Sequence, residues 1–146
     1  MQPFKLDTVL RIRRQAEEKA RQALFAAMEK EQQAKDIFQA AQQELEDLYM
    51  NLQSQYSQGT SVTQLELIEN WISVVKQKIK KAEQEVLTAK RQTESKRQKV
   101  LKASKDLKIM EKMKEQQNNA YKQYLNKKER AMLDELAVLF HKNPDQ

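Results

Sequence analysis

Apolar residues recur along this chain in alternating steps of four and three. One walk meets Ala20, Leu24, Ala27, Glu31, Ala34, Phe38, Ala41, Leu45, Leu48 and Leu52, and only Glu31 interrupts it. A second runs Leu65, Ile68, Ile72, Val75, Ile79, Ala82, Val86, Ala89, Thr93, Lys96, Val100, Ala103, Leu107 and Met110, with breaks at Thr93 and Lys96. A mean spacing of 3.5 held over several heptads marks a left-handed coiled coil, because a plain amphipathic helix drifts out of that register. In the heptad frame Leu24, Phe38, Leu45 and Leu52 fall at a, whereas Ala20, Ala27, Ala34 and Ala41 fall at d. Parallel dimers favour Leu at d. An alanine-rich d layer, repeated in the second walk by Ala82, Ala89 and Ala103, points instead to two helices of one chain packed closely and antiparallel. The fold class predicted is therefore all-α, a long two-helix antiparallel coiled coil, or helical hairpin, with unequal arms.

Breaker residues set the boundaries. The sequence has one Gly and two Pro, at Gly59, Pro3 and Pro144, far below ordinary usage for this length. Gly59 can take the left-handed conformation that ends a helix, and Ser61 with Gln64 has the spacing of a capping box for the next one. The reading is a single coiled-coil domain over 1–146, with helix 1 about 8–56, a turn about 57–61 and helix 2 about 62–142. Folding at Gly59 pairs residue i with roughly 118 − i, so Leu52 meets Glu66, Leu24 meets Glu94 and Leu6 approaches Lys112. At 1.5 Å per residue the paired part is about 80 Å long and helix 2 about 120 Å. Helix 2 then overhangs beyond Met113, and its apolar stripe continues there as Tyr121, Leu125, Met132, Leu136, Leu139 and Phe140. Such a stripe needs a cover: another protein, a second copy of itself, or partial disorder.

Composition narrows the function classes. There is no Cys, which removes thiol chemistry and disulfides and fits a reducing cytoplasm. The longest apolar runs, Leu24 to Met28 and Leu136 to Phe140, have five residues, far short of the roughly 18–20 that a membrane span needs. The opening residues lack the pattern of a secretory signal. One glycine cannot build a phosphate-binding loop, so the chain is not expected to be an ATPase, nor an enzyme of any kind, and no cofactor is implied. Asp134 and Glu135 are adjacent carboxylates without His, Cys or a further acid at ligand spacing, which reads as a solvated or partner-facing surface rather than a metal site. His141, the only histidine, reads as surface.

Charge is uneven. Residues 1–56 hold 8 basic and 9 acidic side chains, whereas 76–114 hold 14 basic and 5 acidic, a local excess of nine. Twelve of those fourteen are Lys. A solvated lysine-rich face is the ordinary meaning, a shaft matched to an acidic ring or chaperone the second, and nucleic acid the third. Arg, which reads phosphates and bases bidentately, is scarce there, and no groove-reading or stacking module accompanies the run.

Two segments carry a family resemblance. FKLDTVLRIR, from Phe4 to Arg13, is similar to the opening of the FliJ family, the stalk component of the bacterial flagellar type III export apparatus. KERAMLDELA, from Lys128 to Ala137, resembles that family's signature around Leu-Asp-Glu, with Arg130 where the family more often has lysine. The resemblance implies a non-enzymatic stalk that inserts into the hexameric export ATPase, links it to the membrane-embedded export gate protein and contacts flagellar export chaperones. It implies a cytoplasmic protein held peripherally at the inner face of the cell membrane. It assigns ATPase binding to Phe4, Leu10, Arg13, Glu129, Leu133, Asp134 and Glu135. For the export gate the candidates are Tyr49, Tyr56 and Trp71, since aromatic side chains anchor interfaces, and Val75, because the resemblance favours a surface near Trp71 and Val75. Tyr49 and Tyr56 fall at e and Trp71 at g, on opposite flanks of an antiparallel pair. The remaining readings are a virulence-type secretion stalk and a basic nucleic-acid-associated coiled coil.

Overall fold

The computed structural model describes residues 6–142, and among them the only regular elements are two helices, α1 (Asp7–Gln58) and α2 (Val62–Lys142). Their seam is the one the spacing predicts. Every position of both walks is buried or half-buried, while the residues between them are largely exposed. The chain divides into two compact units: one takes in the stretch up to Glu18 together with the stretch from Lys102 onward, and the other is Lys19–Leu101.

In the unit Lys19–Leu101, Leu48, Ile68, Ile72 and Val75 form a buried cluster, with Leu45, Leu52 and Ile79 packed against it. Farther from the turn the layer thins to Ala27, Ala41, Ala82, Val86 and Ala89. Small side chains here let the backbones approach, and the approach is measurable: the Thr93 hydroxyl donates to the Ala27 carbonyl across the pair at 3.2 Å. Thr93 breaks the apolar walk, yet it is buried and satisfied, so the break becomes a polar pin that favours one register. Glu31, the interruption in α1, is half-buried and reaches Lys35 at 3.3 Å.

Pairs across the helices fix that register. In this unit Lys78 Nζ lies 3.3 Å from Glu44 Oε2. In the other unit Leu10 and Met110 are buried together, flanked by Val9 and Leu107. There Arg13 Nη1 lies 3.4 Å from Asp106 Oδ2, and Lys114 Nζ 3.4 Å from Asp7 Oδ1. Within each unit residue i therefore faces about 120 − i, two positions on from the expected 118 − i. The physical reason is the turn: α1 continues to Gln58 and α2 starts at Val62, so the fold is centred on Thr60 rather than Gly59. Leu24 consequently lies at the level of Lys96. Glu94 engages its own helix, accepting from Gln98 and Arg97, each at 3.0 Å, and those two hydrogen bonds hold its carboxyl below the usual range.

Gly59 has φ +83°, in the left-handed region that favours glycine. Ser61 then caps α2. Its Oγ accepts from the Gln64 amide at 3.2 Å, and its carbonyl accepts the first helical bond from Leu65 at 3.1 Å. The reciprocal half of the expected capping box takes another form: the Thr60 hydroxyl donates to Gln64 Oε1 at 2.7 Å, tying that side chain to the turn.

Because Ala41 is fully buried where the backbones run close, enlarging it should separate the helices. Ala41→Leu, which would strengthen a parallel zipper, is expected to destabilise this chain by about 1–3 kcal/mol, read from denaturant unfolding followed by circular dichroism.

Candidate partner-binding surface

In the unit that contains Leu10 and Met110, α1 offers its last described cover to α2 where Asp7 meets Lys114. Past Tyr121, each described residue from Lys122 to His141 is exposed. The helix itself does not break there, since α2 is continuous to Lys142. What changes is its apolar face. Continuing the seam's frame beyond Met110 meets Lys114, Gln117, Tyr121, Tyr124, Lys128, Ala131, Glu135 and Val138, which is a poor coiled-coil seam. Leu125, Met132, Leu136 and Leu139 each sit one residue later than a seam position, about 100° further round the helix. Leu133 and Phe140 widen that stripe, with Leu133 59% and Phe140 80% exposed. A partner that simply prolonged the hairpin's own seam would miss these side chains. One approaching from the flank would cover them.

The residues assigned to ATPase binding are distributed unevenly over this unit. Phe4 lies outside the described residues. Leu10, assigned through the resemblance, is 2% exposed and packed on Met110, so its side chain is core rather than surface. Arg13 is exposed and binds Asp106. Glu129, Leu133, Asp134 and Glu135 are all exposed on α2, and Asp134, Glu135, Val138 and Leu139 line a shallow apolar-floored hollow. Glu129 lies nineteen residues beyond Met110, about 28 Å along the helix. The two groups are therefore separate patches. Between them the rings of Tyr121 and Tyr124 stack with centroids 6.4 Å apart.

In the unit Lys19–Leu101 the gate candidates also separate. Tyr49 is exposed, with Lys76 Nζ 5.8 Å over its ring in cation–π geometry, and Tyr56 is exposed. Both Tyr49 and Lys76 fall at e, so this contact marks the e flank, and Trp71 at g belongs to the other. Val75, 1% exposed, belongs to the buried cluster with Leu48, Ile68 and Ile72 and presents almost no surface. Sequence reasoning missed the true neighbours of Trp71. Leu67 and Val74, four residues before it and three after, share its exposed face, where Trp71 itself is 56% exposed. Their i, i+4, i+7 spacing was the available signal.

Among the described residues there is no group of three His, Cys, Asp or Glu able to hold a metal ion, and no helix long and apolar enough to cross a membrane.

These positions separate surface from core. Leu133→Asp combined with Leu136→Asp should leave helicity and unfolding temperature nearly unchanged, whereas Val75→Asp should cost about 3 kcal/mol or more by burying an unpaired charge. Thermal unfolding followed at 222 nm compares them.

No curated protein shows significant sequence similarity to the chain. Among solved structures, CT670 from Chlamydia trachomatis, reported as a candidate YscO homologue, shares the fold with a TM-score of 0.70 at 18% identity, each chain covered in full. The sequence matches the family described as flagellar FliJ protein over residues 1–145. Its two-helix antiparallel coiled coil accompanies that near-complete match, and the chain belongs to the flagellar FliJ protein family.

Proposed function

We propose that this protein is the non-enzymatic stalk of a flagellar type III protein export apparatus. In this reading it inserts into the hexameric export ATPase, couples that ATPase to the membrane-embedded export gate and contacts the flagellar export chaperones. It works in the cytoplasm, held peripherally at the inner face of the membrane through the apparatus. The observation that carries the reading beyond family membership is the uncovered apolar face of α2 from Leu125 to Phe140, set out of step with the hairpin's own seam.

Each part of the chain takes a role suited to its chemistry. The ATPase contact is assigned to Leu133, with Glu129, Asp134 and Glu135 beside it and the neighbouring apolar side chains Leu136 and Phe140. Arg13 adds a cation nearer the paired helices, and Leu10 acts from within by holding α1 onto α2. Large aliphatic and aromatic side chains supply binding energy when desolvated, and the carboxylates around them set orientation and partner choice. The gate contact is assigned to Trp71 with Leu67 and Val74, while Tyr49 and Tyr56 form a separate surface on the opposite flank. A virulence-type secretion stalk is the second reading, favoured by the shared fold with CT670.

Adding the protein to its cognate export ATPase should raise turnover or promote hexamer assembly. The Leu133→Asp, Leu136→Asp variant should weaken that effect about tenfold or more while keeping its helicity. An ATPase indifferent to the intact protein would sink the coupling role; equal stimulation by the variant would move the contact off this face.

A further inference from the structure

In the unit that pairs Leu10 with Met110, α1 covers one side of α2 and leaves the other bare. Leu107 and Met110 face α1, and Asp106 and Lys114 are held by Arg13 and Asp7. Turned away from α1 are Lys105, Lys108 and Lys112, with Lys102 one turn earlier, all exposed. None of the four forms an ion pair with a described residue. Ile109, 58% exposed, stands among them, and the exposed Met113 lies at the edge. Asp106 does not neutralise this face because it is engaged by Arg13; the exposed Glu111 and Glu115 lie along one edge of it, beside Lys108.

The residue types discriminate between partners. Protein–protein interface cores are depleted of lysine. The fixed phosphates and bases of nucleic acid are read by arginine forks and stacked aromatic rings, and residues 102–114 contain neither: all five cations there are lysine. Lysine ammonium groups on long apolar stems, grouped around exposed aliphatic side chains, match an anionic bilayer surface. Its headgroups are mobile and need no fixed geometry, and its interface accepts Ile109 and the lysine stems at shallow depth. We propose that the outer face of α2 from Lys102 to Lys112 docks directly on membranes containing anionic phospholipid. α2 would lie along the surface, still paired with α1 on its other side. This contact is independent of the stalk reading, since it needs neither the ATPase nor the gate.

The test is co-sedimentation of the full-length chain with phosphatidylglycerol–phosphatidylcholine vesicles, and with phosphatidylcholine alone, near physiological salt. Binding is expected to the first and not to the second. Each lysine near such a surface contributes roughly fivefold, so the variant K102Q/K105Q/K108Q/K112Q should lose on the order of a hundredfold or more in partition coefficient. The variant K122Q/K127Q/K128Q/R130Q, with the same change in net charge, should retain most of the binding. Ile109→Ser should cost a further severalfold without altering helicity. Failure to bind phosphatidylglycerol vesicles overturns the proposal. So does an equal loss in both quadruple variants, which would reduce the effect to net charge, and so does tighter binding to random duplex DNA than to vesicles in the same buffer. As no ATPase is present, the outcome leaves the coupling role to its own experiment.

Discussion

The close approach of two backbones is the constraint on which this protein depends. With a third of its residues charged, the chain has no material for a wide core, and its apolar side chains are confined to one line along each helix. Such a line stabilises only if the facing helix comes near enough for small residues to touch. Ala27, Ala41, Ala82 and Ala89 make that possible, and the Thr93 hydroxyl at the Ala27 carbonyl records how near the helices come. Near the turn the same seam uses larger residues, Leu48, Ile68, Ile72 and Val75, each contributing about 1.5–3 kcal/mol when fully buried. Surface pairs such as Glu44 with Lys78 add little by comparison; they report the register more than they enforce it.

From that constraint follows the division between what is internally satisfied and what is left for others. Where α1 runs alongside, α2 keeps its apolar residues at a and d. Where α1 no longer does, charged and amide side chains interrupt the a and d positions at Lys114, Gln117, Lys128 and Glu135, and the large aliphatic residues lie one position later at Leu125, Met132, Leu136 and Leu139. A helix that merely continued for length would have no reason to build a second stripe. In the proposed reading the offset gives pairing with α1 and contact with a partner different faces of one unbroken helix.

Much of the fold was legible because period 3.5 is a long-range signal averaged over many residues, so single breaks such as Glu31, Thr93 and Lys96 could not hide it. Register was legible only to within two residues: Gly59 marks the bend, but the centre of the turn depends on how Thr60, Ser61 and Gln64 share their hydrogen bonds, which spacing does not encode. The site was less legible. Leu10 and Val75 are candidates through the family resemblance, whereas the heptad labels place Leu10 at a and Val75 at d. Burial follows from those labels, so each belongs to the core. The partners of Trp71 were overlooked because Leu67 and Val74 lie off the seam, where an isolated apolar residue is ordinary on any surface and only their shared face makes them a patch.

In the proposed reading α2 beyond Lys114 is a face awaiting another protein. Amide hydrogen exchange on the full chain, alone and mixed with the hexameric export ATPase proposed as its partner, addresses it directly. Fast exchange is expected from about Gln116 to His141 in the free protein, as for any single helix without tertiary cover, with a gain of protection concentrated in that stretch on binding. Strong protection there in the isolated monomer, or a gain confined to the region of the turn, would contradict it.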